Sequence, residues 1–169
     1  APAPSYSDTH YVQFDGADEY ISLDDSGPVA NVLDWAQPWS FGFKVAATWN
    51  VPGVDKKDTV IRNGANAFYI RGANTGNAAP YLQNGTTYQG ANTWQQLNAG
   101  DRVVVTYDGT NNPRYYRNGS LVSSWTLSTL LANNAVSGTL TLGKGGGWSS
   151  FLAGGLDEVF FVDRKLTAS

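Results

Sequence analysis

The sequence contains no cysteine and no methionine, and its one histidine is His10. Without cysteine, the chain forms no disulfide bond and carries out no thiol chemistry. A single histidine excludes multi-histidine metal sites and most histidine-based catalysis. Charged residues make up 15% of the chain, against roughly a quarter in an average soluble protein. The chemistry of this chain therefore depends on carboxylates, amides, hydroxyls and aromatic rings.

The sequence also lacks a basic character and a long apolar run. Its net charge of −3 and pI near 4.9 argue against a nucleic-acid backbone as the main partner. No apolar stretch approaches the length that spans a membrane, so we expect no membrane insertion. The first residues, "APAPSYSDTH", have neither the basic nor the apolar region of a signal peptide. They fit a chain that lost its initiator methionine or one already processed by signal cleavage.

Aromatic residues are abundant, at 13%, with six Trp, nine Tyr and seven Phe. The 169 residues suit one domain with a sizeable core. Short β-type runs alternate with Gly, Asn, Asp and Pro along the whole chain, and only 29–36 and 128–134 have the composition of short helices. Many short strands with almost no helix predict an all-β antiparallel sandwich or barrel.

Individual segments give more specific expectations. In "WSFGFKVAATW" (39–49) the residues at alternate positions are apolar, which predicts a strand with one buried face. In "DRVVVTYDG" (101–109) Val103, Val105 and Tyr107 share one face. Asn118-Gly119 suits a two-residue hairpin turn that needs positive φ. Residues 1–8 are interpreted as an extended N-terminal arm, and residues 9–169 as the β-sandwich domain.

Four segments resemble, in order, those of laminin G-like domains in the concanavalin A-like jelly-roll superfamily of lectins and glucanases. They are "YVQFDGADEYISL" (11–23), "WSFGFKVAATW" (39–49), "DRVVVTYDGTNNPRYYRNGSLV" (101–122) and "FLAGGLDEVFFVDRKLT" (151–167). The resemblance implies a two-sheet antiparallel β-sandwich, a jelly roll. It also implies that the closing strand pairs near the opening one.

Asp157 and Glu158 are adjacent carboxylates in the apolar closing segment. Successive residues of a regular strand point to opposite faces, so this pair should not converge on one substrate bond. The jelly-roll glucanases that the sequence resembles use carboxylates in an E-x-D-x-x-E pattern, and no such pattern occurs here. A hydrolase needs two carboxylates that flank one bond. We therefore expect no catalytic residues and no enzymatic activity.

A structural calcium ion is the cofactor that the resemblance suggests. Calcium takes several carboxylate and carbonyl oxygens, and relatives hold it near the first hairpin and the closing strand. The candidate ligands by resemblance are Asp15, Asp18 and Asp157. The alternative is that Asp157 accepts hydrogen bonds that tie the last strand to the first hairpin.

Aromatic residues in loops or near strand ends are the candidate ligand-binding residues. Rings flanked by Asn, Gln and Gly suit sugars, because sugar C–H faces stack on rings and amides bond hydroxyls. The same composition suits a protein interface, or partial burial within the sandwich. The candidates are Tyr81, Tyr88, Trp94, Trp125 and Trp148.

These features favour a non-catalytic recognition or assembly module. The first hypothesis is a phage virion surface protein, either a capsid decoration or a tail component, with a glycan-binding or adhesion role. The second is a secreted carbohydrate-binding module associated with a glycoside hydrolase, and the third a divergent jelly-roll glycosidase. The expected partners are a glycan or a protein surface such as a capsid or tail scaffold, on the virion surface or outside the cell. Association into an oligomer is left open.

Overall fold

The computed structural model of the protein describes residues 5–6, 11–23, 34–47, 57–63, 66–72, 78–84, 87–90, 95–131, 140–144 and 151–167. Within these ranges the chain forms thirteen β-strands and no helix. The strands are β1 (Ser5–Tyr6), β2 (Val12–Asp15), β3 (Ile21–Leu23), β4 (Pro38–Val45), β5 (Lys57–Asn63), β6 (Asn66–Gly72), β7 (Ala78–Asn84), β8 (Thr87–Gly90), β9 (Arg102–Asp108), β10 (Arg114–Arg117), β11 (Ser120–Ser124), β12 (Leu140–Leu142) and β13 (Ala153–Val162).

The strands form two antiparallel sheets, which confirms the predicted β-sandwich. The seven-stranded sheet has the order β1-β2-β13-β4-β9-β10-β11, and the six-stranded sheet has the order β3-β12-β5-β6-β7-β8. The closing strand β13 pairs with the opening strand β2, with Ala153 opposite Asp15 and Leu156 opposite Val12. The two ends of the described chain therefore meet in one sheet, as the resemblance implied.

The core lies between the two sheets and follows the predicted alternation. On β4, Trp39, Phe41, Phe43 and Val45 are at most 2% exposed. On β9 the buried set is Val103, Val105 and Tyr107, which confirms that prediction too. The six-stranded sheet contributes Phe68, Ile70 and Leu82 from its inner face. Burial of these large side chains supplies most of the driving force for folding.

The predicted hairpin at Asn118-Gly119 joins β10 to β11. Asn118 and Gly119 have φ values of 51° and 79°, the left-handed pair that a two-residue hairpin turn requires. Asn118 also donates a hydrogen bond from Nδ2 to Asp101 Oδ1 at 2.9 Å and accepts one from Arg102 N at 2.8 Å. The turn is thereby tied to the start of β9.

Part of the predicted N-terminal arm is a strand. Ser5 pairs with Gln13 and Tyr6 with Val12, so β1 forms one edge of the seven-stranded sheet. The other residues of the arm lie outside the described ranges. Neither predicted helix is found in its described part: residues 35–36 form a turn, and 128–129 form a bend.

The segment 127–131 closes one side of the sandwich between β11 and the edge strand β8. Leu127 and Leu131 are buried in the core. The side chain of Gln89, on β8 and 8% exposed, holds the segment through both of its polar atoms. Its Oε1 accepts hydrogen bonds from Ser128 N, Ser128 Oγ and Thr129 N, and its Nε2 donates to Thr129 O. The Gln89 side chain thus supplies hydrogen-bond partners to a segment that belongs to no strand.

Candidate functional site

One row of residues crosses the outer face of the six-stranded sheet from edge to edge. Because Phe68 and Leu82 point into the core, their neighbours along each strand belong to the opposite, outer face. The strand pairings place the row at a single level. It consists of Ser22, Thr141, Arg62, Ala67, Gln83 and Tyr88. The row therefore places hydroxyl, guanidinium and amide groups along about 24 Å of sheet, at roughly 4.8 Å per strand. Thr141 and Gln83 in this row are buried, at 4% and 9% exposure.

The next row on this face contains Tyr81, whose ring lies flat on Gly90. A Cβ atom on Gly90 would be 2.5 Å from the Cγ and Cδ2 atoms of the Tyr81 ring, so glycine is needed for this packing. Tyr81 is 9% exposed, and it clusters with Ala67 and Ala79, which are 2% and 0% exposed. Small residues and a flat ring therefore pack closely here, and little of their surface is exposed.

Basic residues hold several outer-face positions of the described strands of this sheet. Arg62 lies in the row above, and the strand pairings put Lys57 opposite Arg71 at outer-face positions. No Asp or Glu occupies an outer-face position of the described strands of this sheet. Basic residues at these positions favour an anionic ligand at the six-stranded sheet.

Thr59 adds an unsatisfied hydroxyl group to the same face. It pairs with Tyr69 on β6, which places it beside the Tyr81 row. Thr59 is 1% exposed, and its Oγ1 is buried without a hydrogen-bond partner. Such a group costs free energy unless a partner reaches it.

The predicted ligand-binding aromatic residues are not brought together in the described part of the chain. Tyr81 lies mid-strand and is buried, contrary to its expected exposed position near a strand end. Trp125 follows β11, packs partly against the core and has a buried Nε1 without a hydrogen-bond partner. Tyr88 is in β8, but its side chain is not described, and Trp94 and Trp148 lie outside the described residues.

Asp157 and Glu158 lie on the other sheet, and the expectation that they point to opposite faces is wrong. One extra residue is inserted in β13, since Asp157 pairs with Lys44 whereas Phe160 pairs with Gly42. At this β-bulge Glu158 has a φ of 49°. Regular alternation therefore stops, and both carboxylates reach the same lysine.

The two carboxylates belong to a four-membered ion network on the outer face of the seven-stranded sheet. Lys44 Nζ lies 3.0 Å from Asp157 Oδ2 and 3.5 Å from Glu158 Oε1. Arg102 Nε and Nη2 donate to Glu158 Oε2 at 3.1 and 2.9 Å. The hydrogen bond from Lys44 is the main cause that lowers the pKa of Asp157. Asp157 thus ties β13 to β4, and not to the first hairpin as the sequence suggested.

The three predicted calcium ligands do not form one site. Asp15 on β2 pairs with Ala153 on the neighbouring strand β13. Asp157 is four residues further along β13, about 13 Å away at 3.3 Å per residue. One ion with ligand distances near 2.5 Å cannot bind both. Asp15 and Asp18 lie together in the exposed first turn, where Asp15 Oδ1 accepts a hydrogen bond from Ala17 N at 2.8 Å. Among the residues that the model describes, no group of three or more His, Cys, Asp or Glu residues could hold a metal ion.

The sequence analysis missed the polar row, although the alternation in "NAFYIRG" and "PYLQNG" contained part of the signal, since the apolar positions there leave Ala67 and Gln83 on the other face. In "DTVIRNG" the adjacent residues Val60 and Ile61 are both buried around a β-bulge, so the face of Arg62 does not follow from alternation. Alternation within one strand does not predict the register between neighbouring strands, and it is this register that aligns the residues of the row. Within the described ranges, no helix is long and apolar enough to cross a membrane.

Comparison with known proteins gives the same fold. A family model described as the concanavalin A-like lectin/glucanases superfamily matches residues 15–169. No curated protein matches the chain in sequence. The sialidase carbohydrate-binding module CBM40 of Ruminococcus gnavus, solved with α2,3-sialyllactose, superposes with a TM-score of 0.62 at 12% identity, over 94% of this chain and 92% of that one.

Two further solved structures are similar. The heptameric SAP-like pentraxin of Limulus polyphemus has a TM-score of 0.62 at 15% identity, over 94% of this chain and 77% of the pentraxin. Botulinum neurotoxin type C, from a structure on its interaction with two ganglioside molecules, has a TM-score of 0.62 at 13% identity, over 98% of this chain. The chain spans 42% of that neurotoxin chain. At these identities the similarity is one of fold.

Proposed function

Because the chain belongs to the concanavalin A-like lectin/glucanase superfamily, we propose that it is a non-catalytic glycan-binding module. The ligand lies across the outer face of the six-stranded sheet. The observation that carries this proposal is the row of hydrogen-bonding side chains at one level of that face, beside the Tyr81 ring on Gly90.

The chemistry of the face suits a saccharide. Hydroxyl, amide and guanidinium groups at Thr141, Gln83 and Arg62 match the donors and acceptors of sugar hydroxyls. The Tyr81 ring, 9% exposed, is the flat group of this face on which the C–H face of a sugar would stack. A flexible, polar ligand of this kind needs several weak contacts in a line, and the row spans six strands.

The basic residues at outer-face positions favour an acidic saccharide. A guanidinium binds a carboxylate through two parallel hydrogen bonds, which are stronger than neutral ones. Arg62 occupies an outer-face position of β5, as do Lys57 on the same strand and Arg71 on β6. The fold relatives support this choice, since one was solved with sialyllactose and another is described by its interaction with gangliosides.

The proposal is for binding without hydrolysis. A glycosidase needs a carboxylic acid with a raised pKa and a second carboxylate about 5–10 Å away, on the two sides of the bond. Asp157 and Glu158 are engaged by Lys44 and Arg102, and the pKa of Asp157 is lowered. They also lie on the seven-stranded sheet, whereas the polar row lies on the six-stranded sheet. The virion role and the association with a glycoside hydrolase both remain predictions from the sequence.

A glycan array tests the proposal. We expect the soluble chain to retain carboxylate-bearing oligosaccharides more strongly than neutral ones of the same length. Arg62→Gln should reduce retention at least tenfold, and Gln83→Ala should reduce it about threefold to tenfold. Arg102→Gln is the matched control, because it removes the same charge from the other sheet and should leave retention unchanged.

Three results would count against the proposal. One is an array without retained glycans, and the second is retention that Arg62→Gln and Gln83→Ala leave unchanged. The third is loss of retention through Trp94→Ala or Trp148→Ala alone, which would move the site to the segments that contain those residues. Turnover of a retained glycan would contradict the non-catalytic part.

A further inference from the structure

A buried threonine hydroxyl on the outer face of the seven-stranded sheet has no hydrogen-bond partner. Thr106 belongs to this face, because its neighbours on β9, Val105 and Tyr107, lie in the core. Thr106 is 1% exposed, and its Oγ1 is buried and unpaired in the described chain. A buried polar group without a partner costs free energy, and such groups are rare in native structures. A valine of nearly the same shape would avoid this cost.

Thr106 lies in a row of hydrogen-bonding residues that crosses four strands. The strand pairings align Ser40 on β4 with Thr106, Thr106 with Arg114 on β10, and Arg114 with Ser124 on β11. Side chains that are paired directly in this way have Cβ atoms about 5 Å apart. Ser40 is buried, whereas Arg114 and Ser124 are exposed. The row is therefore open to solvent at its β10 and β11 end.

Arg114 differs from the other arginines of this sheet because it has no acidic partner. The described strands of the sheet contain three arginines. Arg102 pairs with Glu158 at 2.9 Å. Arg117 pairs with Asp101 at 2.6 Å. Among the described residues no side chain forms an ion pair or a hydrogen bond with Arg114, so the N–H donors of its guanidinium remain available to a ligand.

Two other polar groups near the row are engaged within the chain. Ser40 Oγ donates one hydrogen bond to the backbone of residues 164–166 and accepts one from it, both at 2.8 Å. Asp108, two residues after Thr106 on β9, accepts hydrogen bonds from the turn that follows it. The hydroxyl of Thr106 is thus left unpaired beside the guanidinium of Arg114.

We propose that Thr106 and Arg114 form a binding site for an oxyanion group, that is, a carboxylate, sulfate or phosphate carried by a ligand. Both side chains offer hydrogen-bond donors, so the matching ligand group is an acceptor. A guanidinium binds two oxygens of such a group through parallel hydrogen bonds, and Thr106 Oγ1 donates a third. Because Thr106 is 1% exposed, the ligand reaches this hydroxyl when a neighbouring side chain moves, and Arg114 is its exposed cross-strand neighbour.

A nuclear magnetic resonance titration of the intact ¹⁵N-labelled chain tests the proposal. Sodium sulfate and sodium acetate are each compared with sodium chloride at equal ionic strength, because charge screening is common to all three salts. We expect sulfate and acetate to cause saturable shifts of the Arg114 Nε–H and Thr106 amide signals. The dissociation constant for sulfate should be about 1–10 mM, as for a contact with one charged side chain. Chloride should cause no saturable shift.

Substitutions at the two residues separate binding from folding. Arg114→Gln should raise the dissociation constant for sulfate at least tenfold. Thr106→Val should raise it about threefold to tenfold and leave the melting temperature equal to or above that of the parent, because an unpaired buried hydroxyl is removed. Thr106→Ser keeps a hydroxyl and should retain binding. Arg102→Gln is the matched control, since it removes the same charge from the same sheet and should leave the dissociation constant unchanged.

The site is overturned by any of three outcomes. Shifts that are not saturable, or that chloride reproduces, would show an adventitious ion only. A dissociation constant that Arg114→Gln leaves unchanged would remove the guanidinium from the site. Equal dissociation constants for Thr106→Val and Thr106→Ser would remove the hydroxyl. The glycan array fails or succeeds independently, because its decisive variant, Arg62→Gln, lies on the other sheet.

Discussion

The ring of Phe160 lies directly on Gly42 on the outer face of the seven-stranded sheet, and the next residue, Phe161, packs inside the sandwich. Adjacent residues of a strand point to opposite sides, and the bulge at Glu158, which shifts the alternation of β13 by one residue, decides that Phe161 is the inner one. Phe161 stacks on Trp39 with 5.7 Å between ring centroids. Without the bulge, Phe161 would be outside and the core would lose this ring.

Gly42→Ala should destabilise the fold. The new Cβ would lie 2.5 Å from Phe160 Cζ and 2.8 Å from Val103 O, and the ring can move more easily than the backbone. We expect a loss of about 1–3 kcal/mol in the free energy of unfolding, as for other overpacked positions, measured by urea denaturation. The double variant Gly42→Ala/Phe160→Ala removes the clash with the ring but keeps the clash with Val103 O. It should therefore recover only part of the stability that Gly42→Ala loses. An unchanged midpoint for Gly42→Ala would mean that the ring does not rest on this glycine.

The protein should lose stability in acid as Asp108 becomes protonated. Burial raises the pKa of Asp108, but hydrogen bonds from Thr110 and Asn112 outweigh it and lower the pKa to about 2, from 3.8. Because the folded pKa is depressed, this stabilisation is present above pH 4 and is lost as the pH falls from about 4 to 2. Asp108→Asn should cost on the order of 1–2 kcal/mol at pH 7, after allowance for solvent screening, and much less at pH 2.5. A loss of equal size at both pH values would contradict the linkage; exposed Asp163→Asn is the control.

Gln89→Ala should release the segment that closes the side of the sandwich. The change leaves the amides of Ser128 and Thr129 and the carbonyl of Thr129 without the partner that Gln89 provides. We expect a loss of about 2–4 kcal/mol in unfolding free energy and faster hydrogen exchange at Ser128 and Thr129. The exposed Gln96→Ala should change neither. If exchange at these amides stays slow in Gln89→Ala, the glutamine is not what holds the segment.

Calcium binding at the first turn remains a prediction from the sequence, now without Asp157. If Asp15 and Asp18 bind the ion, calcium added after chelation should raise the melting temperature, since a ligand of the folded state stabilises it. Asp18→Asn should abolish the shift, and Asp157→Asn should not. A shift that depends on Asp157 would contradict the separation of these carboxylates along β13.

The sequence by itself determined the fold class, the buried faces and the hairpin. Alternate apolar residues on β4 and β9 fix which face is buried, because a strand repeats every two residues. Asn118-Gly119 fixes its turn because both residues accept positive φ. These are local properties, so a single segment carries enough information to predict them.

Only the tertiary structure decided the polar row and the ion network. Arg62, Ala67 and Gln83 lie on three strands and form a row only after those strands are aligned. The bulge in β13 cannot be read from "GLDEVFFV", because one extra residue is stabilised by its neighbours Lys44 and Gly42, more than 100 positions earlier. Contacts of this range place Asp157 and Glu158 beside Lys44, far from Asp15. Local periodicity sets the face of a side chain, whereas strand register and its interruptions set its neighbours.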